Sequence, residues 1–160
     1  MPAIFAKQEE RFLHELVRLK VDFMLVGLSA ATIQGAPVVT QDIDIWFRDL
    51  TDPNIKVALK KVGGTFVPSF GHNQPMFAGE AVKLFDIVLN MSGLGPFGEE
   101  RKYCLEVTLG KTKVPVLELE RIIVSKKAAN RPKDRLVLPV LEDALIAIQN
   151  KKNTHGKRRK

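Results

Sequence analysis

Apolar and polar positions along the chain fall into blocks of two different periods. Over 4–20, Phe5, Phe12, Leu13, Leu16, Val17 and Leu19 recur at helical spacing. Gln8, Glu9, Arg11, Glu15 and Arg18 take the other face, which predicts an amphipathic helix. The unbroken run Phe23, Met24, Leu25, Val26 predicts a short buried strand over 22–27, ended by Gly27. A helix is expected over 28–35, closed by Gly35 and kept from continuing by Pro37. Asp42, Ile43, Asp44 and Ile45 then alternate with period two, the mark of a strand over 42–48. Asp52 before Pro53 reads as a cap with proline in the first turn, opening a helix over 53–62 that stops at Gly63 and Gly64.

The second half continues in the same alternation. A short strand is predicted over 65–67, a turn-rich loop over 68–75 and a strongly apolar strand over 83–89. After a glycine-rich loop over 92–98, strands over 103–109 and 114–117 flank a turn at Gly110 and Lys111. Helices follow over 118–129 and 133–150, separated by Asn130, Arg131 and Pro132. The chain carries no internal repeat, and its 160 residues suit one domain with a real core.

Two places in this pattern carry chemistry. On a strand, Asp42 and Asp44 point the same way and their isoleucine neighbours the other way. Like charges so close repel, and they lose hydration unless water or a cation neutralises them. A hard divalent ion such as Mg²⁺ prefers oxygen ligands and commonly arrives with substrate phosphates. The second place is Asp86, a single carboxylate inside the apolar run 83–89, where an unpaired buried charge costs several kcal/mol. It calls for a partner, either a metal shared with other acids or a lysine or arginine. His72, Asn73 and Gln74 either touch a substrate or lie in a solvated loop.

Composition narrows the classes. A hydrophobic share of 45% with 27% charged residues is ordinary for a water-soluble globular chain, and no apolar run reaches the roughly 18 residues of a membrane-spanning helix. The first ten residues lack the basic segment and apolar core of a secretory signal. The lone Cys104 forms no internal disulfide, which suits a reducing cytoplasm, and it reads as a small core hydrophobe. The net charge of +7 is concentrated at one end. Lys151, Lys152, Lys157, Arg158, Arg159 and Lys160 stand in the last ten residues without an acid among them, and elsewhere 19 basic residues face 18 acidic ones. The chain therefore divides into a near-neutral domain over 1–150 and a basic tail over 151–160, expected to be disordered. Such a tail either holds RNA phosphates or serves only solubility.

A strand, a glycine turn at Gly27, a short helix with Ala30 and Gly35, and then Thr40, Asp42 and Asp44 in Thr-x-Asp-Ile-Asp resemble the core of the nucleotidyltransferase superfamily, whose fold is shared with DNA polymerase beta. Its small prokaryotic branch related to abortive-infection toxins is the nearest in pattern. Lys126, Arg131, Lys133 and Asp134 also resemble that branch, so the likeness runs over nearly all of 22–148. Leu28 departs from it, standing where the family usually has a second glycine.

The resemblance implies an α+β fold, with a central mixed sheet flanked by helices and completed by C-terminal helices. It implies a Mg²⁺- or Mn²⁺-dependent transfer of a nucleoside monophosphate from an NTP to a hydroxyl acceptor, with Asp42, Asp44 and Asp86 as catalytic and metal-holding carboxylates. Gly27, Ser29, Thr40, Lys126, Arg131 and Lys133 are the expected nucleotide-binding residues, Ser29 serving either as a phosphate donor or as a helix cap. Asp134 is expected to cap the last helix or fix Arg131. By the same resemblance tRNA or another RNA is a candidate acceptor and an antitoxin protein a candidate partner. The alternative is a degenerate fold that binds nucleotide or RNA without transfer, for which Leu28 is the motive.

Overall fold

The computed structural model describes residues 5–158, with side chains described to residue 154. Six α-helices and seven strands follow one another as α1 (Lys7–Arg18), β1 (Phe23–Val26), α2 (Gly27–Ile33), β2 (Ile43–Phe47), α3 (Pro53–Lys61), β3 (Thr65–Val67), β4 (Met76–Ala78), β5 (Phe85–Val88), α4 (Phe97–Glu100), β6 (Cys104–Leu109), β7 (Thr112–Leu117), α5 (Leu119–Ala129) and α6 (Pro132–Arg158). A 3₁₀ turn over Arg101–Tyr103 joins α4 to β6. This is the expected α+β architecture. The predicted helix over 4–20 is α1, its first position lying outside the described residues.

Five strands form a mixed sheet in the order β5-β2-β1-β7-β6. β1 runs antiparallel to β2 and parallel to β7, while β2 runs parallel to β5. The hairpin β6–β7 extends the sheet as its pattern predicts, and β3–β4 is a separate two-stranded piece. β1 is buried along its whole length, as its unbroken apolar run requires.

The register sorts β2 and β5 into two faces. Ile43 stands beside Phe85 and Ile45 beside Ile87, all four buried. Phe12 of α1 packs edge-on against Phe85 at 5.1 Å and Phe77 at 5.5 Å, which closes this side. The opposite side carries Asp44, Trp46, Asp86 and Val88. Its far end is sealed by Phe97 of α4, edge-on to Trp46 at 5.7 Å.

Four features differ from the sequence expectation. β5 is the outermost strand, not a strand buried on both sides, and Asp86 is exposed. Its apolar neighbours Phe85 and Ile87 serve one buried face, and Asp86 stands on the other. The stretch after Gln74 adds β4, and the glycine-rich segment continues into α4 and the 3₁₀ turn. Residues 151–158, expected as a disordered tail, continue α6; 159 and 160 lie outside the described residues. No helix among the described residues is long and apolar enough to cross a membrane.

Candidate active site

The two aspartate-bearing strands meet in register, Asp44 directly beside Asp86. Asp42, two residues earlier, shares their face. Two features hold Asp44 in place. Its backbone N–H donates to the Ser29 hydroxyl at 3.3 Å, and that hydroxyl donates to the Val26 carbonyl at 3.1 Å. Its carboxylate then lies against the backbone of Gly27. Gly27 has φ +68°, and any Cβ there would collide with Asp44, so both conformation and space demand glycine.

The carboxylates disturb one another. Burial and then the charge of Asp86 push Asp44 up to about 6, although Lys126 pulls it partly back. Asp86 is raised by lost hydration first, then by the charge of Asp42 and a hydrogen bond with it. None of the three has a lysine or arginine in an ion pair among the described residues, which sets aside the salt-bridge reading of Asp86. Oxygen-only, mutually repelling donors fit a hard divalent cation in kind. Their side chains are not drawn together around one point: among the described residues no three His, Cys, Asp or Glu groups stand where they could hold an ion.

Asp44 lies on the wall between two cavities. One, of about 350 Å³, is bounded by Gly27, Asp44, Asn90, Ser92, Lys126 and Arg131, among others. The other, of about 570 Å³, runs along Asp86 and its strand neighbours toward Gln74 and Met76. The cations of the first cavity are organised by Asp134, which is wholly buried. Lys126 Nζ lies 3.2 Å from its carboxylate, and Arg131 donates from Nε at 2.7 Å, from Nη2 at 3.2 Å and from its backbone N–H at 3.1 Å. Arg131 first, and Lys126 after it, hold the Asp134 carboxyl down at about 2. Asp134 thus caps α6 and fixes Arg131, as its sequence position suggested.

The nucleotide-binding candidates divide. Gly27, Lys126 and Arg131 border the first cavity. Lys133 is exposed nearby, and its charge reaches Asp44. Ser29 and Thr40 instead line a third cavity with Asp42. Ser29 is buried with its hydroxyl engaged by backbone, and Thr40 donates to the Asp42 carbonyl at 3.3 Å, so both act on the carboxylate loop rather than on the space beside Lys126. Leu28 is partly buried against the core and lines none of these three cavities.

Sequence reasoning missed Asn90, Ser92 and Ser125 of the first cavity, which carry no pattern of their own. It also missed what holds them. Glu100 is buried, accepts from Arg121 Nε at 2.9 Å and Nη2 at 2.6 Å, and takes the Gly95 N–H at 3.2 Å. Gly93, with φ +72°, lies so close on α5 that a Cβ would collide with Ala128. Gln34 ties the end of α2 to the start of α5 by donating to the Leu117 carbonyl at 2.8 Å and accepting from Leu119 N–H at 2.9 Å.

No protein-family model matches the chain, and no curated protein matches it in sequence. Solved structures do match in shape. ANT(2'')-Ia in complex with adenylyl-2''-tobramycin superposes with a TM-score of 0.58 at 13% identity, over 94% of each chain. A nucleotidyltransferase from Thermotoga maritima gives 0.54 at 21% over 90% of each chain. An antigenic nucleotidyltransferase-like protein from Paracoccidioides brasiliensis gives 0.52 at 17%, over 94% of this chain and 90% of that one. The fold is therefore that of the nucleotidyltransferases.

Proposed function

We propose that the protein is a metal-dependent nucleotidyltransferase, moving a nucleoside monophosphate from an NTP to a hydroxyl. The observation that carries this reading is the position of Asp44, in register with Asp86 and on the boundary between a cavity with two cations and a groove with two acids. Lys126 and Arg131 would bind the polyphosphate, their charge offsetting what gathers on the leaving pyrophosphate. Gly27 would let that polyphosphate approach the backbone closely. Asp86 would orient the acceptor hydroxyl and take its proton, since it is exposed on the groove side and its affinity for protons is raised. Asp42, Asp44 and Asp86 are the residues that would hold Mg²⁺ or Mn²⁺. When bound, such an ion supplies charge neutralisation and makes the hydroxyl more acidic. Full use of the set requires the carboxylates to swing together as the ion and NTP enter.

The fold likeness to ANT(2'')-Ia, solved with an adenylylated compound, supports nucleotide transfer as the reaction class. The seating of Leu28 outside the cavities supports an active site over a degenerate one. The test is release of pyrophosphate and label transfer from each α-labelled NTP, with Mg²⁺ or Mn²⁺, to mixed acceptors. Activity that disappears in Asp44→Ala supports the enzyme. NTP binding without pyrophosphate release under any condition would leave only a binding module.

A further inference from the structure

The cavity beside Lys126 has a hydroxyl in its floor that the transferase reading leaves without a task. Ser125 stands on α5 next to Lys126 and one helical turn before Ala129, and all three border the cavity together with Val26 and Gly27. Arg131 and Ser92 are exposed at the rim, whereas Ser125 is only 7% exposed and lies at the bottom. Its hydroxyl has no hydrogen-bond partner among the described residues. A serine in mid-helix can turn its hydroxyl to the carbonyl four residues back, but the Arg121 carbonyl does not receive this one. Every sealed-off side-chain nitrogen or oxygen among the described residues does have a partner, so the Ser125 Oγ is open, and the space it opens onto is this cavity. Ser29 is spent differently. Its hydroxyl donates to the Val26 carbonyl, accepts from the Asp44 N–H and lines another cavity.

We propose that the Ser125 hydroxyl donates a hydrogen bond to an oxygen of the pyrophosphate portion of the bound NTP, and that Ser125, not Ser29, is the hydroxyl of the donor site. This rests on the transferase reading above and adds a residue to its donor-binding set. Lys126 and Arg131 are the cations there, and both already lean on Asp134. Their remaining N–H groups meet an anion from the helix junction. The Ser125 hydroxyl meets it from the floor, with no competing acceptor. A hydrogen bond to a charged oxygen is short and roughly twice as strong as one between neutral groups. Shielding from water at the bottom of a cavity adds to its weight. A sugar hydroxyl is the other group that a serine can meet, but the Lys126 ammonium, one residue along the helix, favours a phosphate oxygen.

The experiment uses the full chain and measures, by calorimetry in Mg²⁺, the binding of each of the four NTPs and of inorganic tripolyphosphate. Ser125→Ala should weaken both the preferred NTP and tripolyphosphate by about tenfold or more. Its Tm should be no lower than the parent's, because the free protein loses no hydrogen bond and alanine favours the helix. Ser125→Cys, similar in shape but a weaker donor, should lose affinity as well. Ser29→Ala should leave both affinities near the parent's. Ser125→Ala or Ser125→Cys binding like the parent, while Lys126→Met does not, overturns the proposal and leaves the transferase reading intact. So does a loss confined to NTP and absent for tripolyphosphate, which would place the contact on the sugar or base. A Tm that falls in Ser125→Ala overturns it by showing that the hydroxyl already serves the fold, and an equal loss of affinity in Ser29→Ala overturns the choice between the two serines. If the parent binds neither ligand, or Lys126→Met binds both unchanged, the cavity is not the donor site and both readings fail.

Discussion

Asp44 offers a test in which stability and activity move in opposite directions. Its carboxyl is pushed from an ordinary 3.8 up to about 6 by burial and by Asp86. A group with a raised folded pKa that is ionised at neutral pH opposes folding. The difference of about 2 pH units corresponds to about 3 kcal/mol at pH 8. Asp44→Asn keeps the shape against Gly27 and the backbone N–H to Ser29 but removes the charge. The metal-free variant is therefore expected to be more stable than the parent by up to about 3 kcal/mol, roughly 6–12 °C in Tm for a chain of this size. The gap should be full above pH 6. It should shrink between pH 6 and 4, where the parent folded state takes up its proton, and vanish below 4. Urea unfolding and thermal melts across that range, with chelator present, measure it. Mg²⁺ should then raise the Tm of the parent and not of the variant, and the variant should be inactive. A variant no more stable than the parent at pH 8, or a gap indifferent to pH, would refute the reasoning.

Further predictions follow from the supports of the site. Arg121→Met leaves the buried Glu100 carboxylate without its partner and should cost about 3–5 kcal/mol in urea unfolding. Gly27→Ala forces a side chain into left-handed backbone at about 1–2 kcal/mol and displaces Asp44, so turnover should collapse while far-UV circular dichroism stays near that of the parent. Asp134, held near 2 against an unfolded value near 3.8, contributes stability that is present above pH 4 and lost as pH falls toward 2. Asp134→Asn should flatten that limb of the acid-unfolding curve and raise KM for NTP. Lys126→Met should weaken NTP binding at least tenfold and move the Asp44 titration, followed by carboxyl NMR, to higher pH.

Local pattern made most of the core readable. Asp42 to Ile45 alternates because one face of β2 is buried and the other bears the carboxylates, and a strand records such a division in its own residues. Asn130, in left-handed backbone, and Pro132 mark the break between α5 and α6 as their chemistry dictates. What pattern does not encode is which strand lies beside which. Phe85, Ile87 and Val88 read alike in a central and an outer strand, so the exposure of Asp86 followed only from the sheet order. Glu100 was unreadable for a related reason. A glutamate among Gly, Pro and Glu looks solvated until Arg121, twenty-one residues later, is brought over it. Thr40 and Ser29 were legible as members of a motif, but the direction of a short hydroxyl depends on backbone turns that residue type does not specify.

The sharing of Asp134 between Lys126 and Arg131 has a consequence for how an anion would be received. Two positive side chains lean on a single negative one, so the trio keeps one net positive charge while its members are already immobilised. A long cation that must be ordered at the moment of capture forfeits roughly 1–2 kcal/mol of side-chain entropy. Here that loss is incurred when the chain folds, and an incoming ligand meets ammonium and guanidinium groups that need only small adjustments.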